Sequence, residues 1–219
     1  MFHLWDSEIP QAVKDTGIPV SIMLWSTDQY KIDRFLQFAQ PGYASHAAGY
    51  NEVNQVGQGQ TSPDRAVQVW YQCLRPLVEK GYTLMGPVTT SAPDGYDWMV
   101  QFFNQCGGDC HVDEVPIHWY DVRFEDFQVY INKWAGFGKP LRVTEFACQN
   151  FNGGNQPSMD QIWQFTGQAI NYLESDNRIL SYAPFGFMDD MYNVTPDDRL
   201  FAFQSYGLSD LGWNYVKGH

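Results

Sequence analysis

The sequence predicts an α/β fold, a (β/α)8 TIM barrel occupying residues 1–219 as one catalytic domain, with its first strand missing or lying upstream. Three observations carry this reading. Short apolar runs alternate with longer stretches of helical periodicity, the rhythm of parallel strands joined by crossover helices. Polar and aromatic residues collect at the carboxyl ends of those runs, where barrel active sites form. No glycine-rich phosphate loop follows any run, which weighs against an open doubly wound sheet.

The elements follow in order. The first run, 1–5, reads like the middle of a domain rather than a natural start. The second, 19–25, closes on Trp25 and leads to a helix over 28–38. The third, 46–52, closes on Asn51-Glu52. The clearest helix comes next: Thr61-Ser62 caps it, Pro63 takes the first helical position and Gly81 ends it. Its residues Ala66, Trp70, Cys73, Leu74 and Leu77 recur at helical spacing, and Pro76 is expected to kink or shorten the last turn. The fourth run, 83–88, leads to Thr89-Thr90 and a helix over 96–104. The fifth, 112–119, runs into His118-Trp119-Tyr120-Asp121 and a helix over 124–134. The sixth, 140–146, carries Glu145 and precedes a helix over 157–173; the seventh, 179–187, precedes Asp189-Asp190. Seven runs leave the barrel one strand short.

Composition narrows the function. Some of the eight Trp, 13 Tyr and 15 Phe must fill the core, and so many also suit a cleft that stacks flat ligands. A net charge of −12 argues against nucleic acid and favours an uncharged substrate and an acidic extracellular or cell-wall protein. No run of about 18 apolar residues is present to span a membrane, and no signal peptide opens the chain. A monomer is expected, with no cofactor and no metal. Cys106 and Cys110 enclose a short turn whose spacing permits a local disulfide in an oxidising compartment. A zinc site is the competing reading, but only His111 stands near as a further ligand. Cys73 and Cys148 read as buried free thiols.

The chemistry rests on two carboxylates. Glu52 and Glu145 each close an apolar run, and a retaining glycosidase needs such a pair flanking the scissile bond. Either glutamate alone is commonly a solvated loop residue; two on different strands, one preceded by Asn51, fit an acid/base and a nucleophile. His118 reads as a core or rim histidine or as a supporting group. Trp25 and Trp119 read as core or as platforms for sugar rings. Asp189 and Asp190 read as a loop or cap pair. Asn193-Val-Thr195 is a glycosylation sequon, disfavoured by the following Pro196.

Six ordered segments then make a specific resemblance: Ile22-Met-Leu-Trp25, Gly49-Tyr-Asn-Glu-Val53, Gly86-Pro-Val-Thr89, Cys106 to Asp113, Ile117-His-Trp-Tyr120 and Val143-Thr-Glu-Phe-Ala147. Together they resemble glycoside hydrolase family 128, endo-β-1,3-glucanases of the glycosyl hydrolase catalytic core type, from about Phe2 to Tyr215. The resemblance implies a barrel of the large retaining clan, with Glu52 as acid/base and Glu145 as nucleophile. It also matches Trp25, Asn51, His118, Trp119 and Tyr120 to the substrate-binding segments, and a β-glucan to the cleft. Two departures stand out. Val53 replaces the proline usual after the acid/base, and Ala183-Pro-Phe-Gly-Phe187 lacks a tryptophan common there. A glucan-binding protein without catalysis is the alternative class; an enzyme acting on another β-glycan is the alternative substrate.

Overall fold

The computed structural model describes residues 1–202, 204–205 and 207–217. Two compact units divide the chain, Met1–Ile117 and His118–His219.

In the first unit, strands β1 (Phe2–His3), β2 (Val20–Met23), β3 (His46–Ala48) and β4 (Thr83–Met85) lie side by side in chain order, each pairing parallel to the next. Helices α1 (Gln11–Lys14), α2 (Gln29–Phe38) and α3 (Pro63–Val69) occupy the connections, and α4 (Pro93–Cys106) follows β4. Ile22, Met23, Leu24, Ala47, Ala48, Leu84 and Met85 are all essentially inaccessible, the near-continuous apolar reading of strands covered on both faces. The strands are shorter than the sequence suggests. β3 stops at Ala48, so Gly49 to Glu52 lie beyond it. Gly49 explains the exit: a Cβ there would meet Trp70 Cζ3 at 2.8 Å and the Pro87 nitrogen at 2.9 Å.

The helix after Glu52 begins as its sequence dictates, with the Ser62 hydroxyl accepting from the Arg65 amide at 3.3 Å and Pro63 in the first turn. It does not continue as α-helix. Trp70–Leu74 widens to π geometry, with the Arg75 amide bonded five residues back to the Trp70 carbonyl, and Arg75–Lys80 tightens to 3₁₀. Pro76 has no amide to give to an α-helical ladder, and the register changes ahead of it. The helix then ends at left-handed Gly81 (φ 85°). Side chains of this stretch hold the loop closed by the Cys106–Cys110 disulfide: Trp70 Nε1 donates to the Cys110 carbonyl at 2.8 Å, and Arg75 Nε donates to the Asp109 carbonyl at 3.0 Å. Trp70 also packs edge-on against Phe102 and Tyr50, the aromatic centre of this unit.

In the second sheet, β5 (Val115–Tyr120), β6 (Leu141–Ala147) and β7 (Ile179–Pro184) follow in that order, and β6 pairs parallel to β7. The last three residues of β5 open the second unit. Helices α5 (Phe124–Trp134) and α6 (Met159–Ser175) fill the connections, and α7 (Asp210–Lys217) comes last. A reciprocal capping box starts α6: Ser158 accepts from the Gln161 amide while the Gln161 side chain accepts from the Ser158 amide. Phe127 packs on Phe146 and Phe165, with ring centroids 6.1 and 5.9 Å away, joining both helices to β6. The architecture is α/β with parallel strands. Among the described residues, no helix is long and apolar enough to cross a membrane.

Candidate active site

In the first unit, the segment after β3 is held on both sides. The Asn51 amide donates to the Trp25 carbonyl at 2.9 Å, the Val53 amide to the Val88 carbonyl at 3.1 Å and the Gly59 amide to the Asn51 carbonyl at 2.8 Å. Gly59 has to be glycine: a Cβ there would stand 2.4 Å from the Trp25 carbonyl oxygen and 2.5 Å from that of Asn51. Between these anchors Glu52 adopts φ 44°, left-handed backbone that a non-glycine residue rarely takes, and such conformations cluster at functional sites. Glu52 is 9 % exposed. Asn51 is buried; its Nδ2 donates to Gln58 Oε1 at 3.1 Å, while its Oδ1 has no hydrogen-bond partner among the described residues. A buried acceptor left open in this way can take a donor from a water or from a ligand. Trp25 is half-buried on Met23, Ala48 and Met85, with Lys31 Nζ 5.2 Å from its ring centre.

In the second unit, strand alternation does the positioning. His118 and Tyr120 share one face of β5 and both meet Glu145 on β6. The Tyr120 hydroxyl donates to Glu145 Oε2 at 2.7 Å, and His118 Nδ1 lies 3.3 Å from the same oxygen. His118 is fully buried and Glu145 is 7 % exposed. A carboxylate that accepts from a phenol and faces an imidazole nitrogen on the same oxygen is fixed in orientation.

Trp119, read from the sequence as core or as a platform for sugar, takes the other face of β5. It is buried against Phe127 and Tyr130, with ring centroids at 5.4 and 5.1 Å, so it belongs to the packing of α5. Asp189 and Asp190 are exposed, and Asp190 Oδ1 accepts from the Tyr192 amide, closing its own turn. Cys106 and Cys110 are bonded to each other, so they are not ligands for a metal; Cys73 and Cys148 are buried free thiols.

Two features escaped sequence reasoning. Phe151 and Phe185 set their rings edge-on to Tyr120, at 5.5 and 5.9 Å, and their only sequence signal is aromaticity just beyond a strand end. Asp198, on a 3₁₀ turn (Pro196–Asp198), is 4 % exposed and accepts the backbone amide of Cys148 just past β6. Burial pushes its carboxyl up to about 8. Burial, together with Asp198 and Asp121, pushes the Cys148 thiol up to about 12.

Known proteins bear on this arrangement. A curated relative, Alkali-sensitive linkage protein 1 of Schizosaccharomyces pombe, is 30% identical over 172 residues, covering 77% of the chain; the chain spans about a third (32%) of that protein. A GH128 subgroup II endo-β-1,3-glucanase from Sorangium cellulosum is 25% identical, with a TM-score of 0.79 over 99% of this chain and 89% of that one. A GH128 subgroup VII oligosaccharide-binding protein from Trichoderma gamsii is also 25% identical, with a TM-score of 0.81 over 98% of this chain and 84% of that one. The family profile described as glycosyl hydrolase catalytic core matches residues 2–215, from the start of β1 into α7, and on that match the chain belongs to this family.

Proposed function

We propose that residues 1–219 form one catalytic domain, a retaining endo-β-1,3-glucanase that cleaves β-1,3-glucan by double displacement. The observation that carries the proposal is the pair of donors on one oxygen of Glu145: Tyr120 at 2.7 Å and His118 at 3.3 Å. That environment suits a nucleophile, which must be ionised and held still before the sugar arrives. Glu145 attacks the anomeric carbon while Glu52, protonated, gives its proton to the departing glycosidic oxygen. Ionised Glu52 then takes a proton from water, and the water oxygen displaces Glu145 from the sugar, so configuration is retained. Asn51 Oδ1 accepts from a sugar hydroxyl and the Trp25 ring stacks beneath a glucosyl residue. Neither step calls on a metal or a cofactor. Work in an oxidising, extracellular or cell-wall setting fits the disulfide and the acidic chain.

Laminarin, lichenan and xylan offered in parallel test this reading. Expected are laminari-oligosaccharides of mixed length from laminarin, appearing first as the β-anomer by proton NMR. Laminarin bound but not cut moves the chain to the oligosaccharide-binding class. Release of the α-anomer overturns retention, glucose alone overturns endo action, and preferential cutting of xylan overturns the linkage.

Removing one donor checks the nucleophile's setting. Tyr120→Phe is expected to lower kcat about 10- to 100-fold, because a hydrogen bond to a charged group is worth about 1.5–3 kcal/mol. A kcat within about twofold of the parent counts against the phenol acting through Glu145.

A further inference from the structure

We propose that Phe151 is the platform of a sugar-binding subsite beside the nucleophile, stacking against a β-glucosyl residue that adjoins the one being cleaved. The inference rests on the glucanase reading above and adds a residue and a loop to it.

The first observation is where the ring stands. Phe151 is 53 % exposed, and its ring centre lies 5.5 Å from that of Tyr120, whose hydroxyl bonds Glu145. One aromatic ring therefore separates the nucleophile from a large apolar side chain that solvent reaches. A lone exposed apolar residue needs no explanation on most of a surface, but this one packs on the ring that bonds the proposed nucleophile.

The second observation is that the loop is built to hold that ring. Asn150 Nδ2 donates to the Gly153 and Asn155 carbonyls at 2.8 and 3.0 Å, and Asn150 Oδ1 accepts from the Asn152 amide at 2.9 Å. Gln156 closes the base, accepting from the Asn150 amide and donating to its carbonyl. Gly153 and Gly154, at φ 87° and 90°, make the reversal that lets both carbonyl bonds form. On the far side of Phe151, Asn152 Nδ2 donates to Asp121 Oδ2 at 3.1 Å, tying the loop to the residue after β5. The two neighbours of Phe151 are thus both fixed by their side chains, and the ring is presented rather than tucked away. Rigid presentation of an apolar group to water gains nothing for the fold. It gains affinity when a ligand covers the ring, because the ordering cost is already met.

The ligand chemistry follows from the platform. Phenylalanine offers a flat apolar face and no polar tip, so it selects by shape and apolar contact. A β-glucosyl ring carries its hydroxyls around its edge and C–H bonds on its faces, which matches such a surface. Asp121 and Asn152, with side-chain polar atoms beside the platform, supply partners for edge hydroxyls, the usual division of labour in a ligand site.

The test uses full-length chain carrying Glu145→Gln, so that ligand is bound but not consumed, and laminarihexaose titrated by calorimetry. Adding Phe151→Ala is expected to weaken binding about tenfold, the worth of covering one ring face. Phe151→Trp is expected to restore it to within about threefold, since the flat face is kept. With Glu145 intact, Phe151→Ala should raise KM for laminari-oligosaccharides about tenfold and change kcat less than about threefold, the signature of lost binding rather than lost chemistry. Equal affinity with and without Phe151→Ala, while Glu145→Gln itself binds, overturns the platform and leaves the glucanase reading intact. Absence of binding by Glu145→Gln overturns both. If Phe151→Ala lowers the melting temperature, Phe151→Leu decides: it fills the space without the flat face, and undiminished affinity overturns the proposal.

Discussion

Glu145→Gln is expected to lower kcat on laminarin by about 10⁴-fold or more, on the order of 5 kcal/mol of activation free energy. The amide has the volume of the carboxylate and still accepts from the Tyr120 hydroxyl and His118 Nδ1, so the buried strand end should stay folded. What it loses is the negative charge that, in the proposed mechanism, forms the bond to the anomeric carbon. Glu52→Ala should behave differently in kind. A glycoside whose leaving group departs without protonation, such as a dinitrophenyl β-glucoside, should still form the glycosyl-enzyme and then stall. Azide should release it as a β-glycosyl azide, because a small anion needs no general base. Burst kinetics and azide products in both variants separate the roles. A β-glycosyl azide from Glu145→Gln but not from Glu52→Ala would exchange the two assignments, whereas an α-glycosyl azide from Glu145→Gln keeps them.

The second large effect concerns stability and lies at Asp198. Its carboxyl is raised to about 8 by burial, against 3.8 for the ordinary group, so between about pH 4 and 8 the folded chain holds a proton that the unfolded chain has released. A state that binds more protons loses ground as pH rises. Stability is therefore expected to be undiminished by this group below about pH 4, to fall through the window, and to level off above about 8. Asp198→Asn mimics the protonated carboxyl and keeps an oxygen for the Cys148 amide. It is expected to stabilise the chain by about 5 kcal/mol at pH 8 and by about 1 kcal/mol at pH 4.5. For a chain of this size that corresponds to a melting temperature about 10–20 °C higher at the upper pH and only about 2–4 °C higher at the lower. An equal shift at both pH values would assign the effect to packing instead of ionisation.

How much of this was legible in the sequence depends on whether the cause is local. The start of α3 at Pro63, the end of its continuation at Gly81 and the placement of Glu145 within β6 follow from caps, backbone limits and apolar pattern, which act over a few residues. Convergence of His118 and Tyr120 on one oxygen depends on strand pairing, which no spacing encodes. Their two-residue separation did carry the information that both face one way, and the same alternation marks Trp119 as facing the other. β3 ends earlier than its apolar pattern predicts because Gly49 and Gly59 are set by close approach of distant backbone and of Trp70. Asp198 left no trace at all. It sits beside exposed Asp197 in a polar turn, and only tertiary packing makes it a buried acid.

The left-handed backbone at Glu52 has a consequence for anyone improving this protein by selection. A glutamate at φ 44° costs on the order of 1 kcal/mol or more relative to an easy conformation, and glycine or asparagine would be at ease there. The surrounding anchors at Trp25, Val88 and Gly59 hold the position regardless of which side chain occupies it. A screen that rewards heat resistance and ignores turnover therefore has a gain waiting at the very residue assigned to proton donation. Survivors of such a screen would be sturdier and silent, so activity has to be scored in the same round.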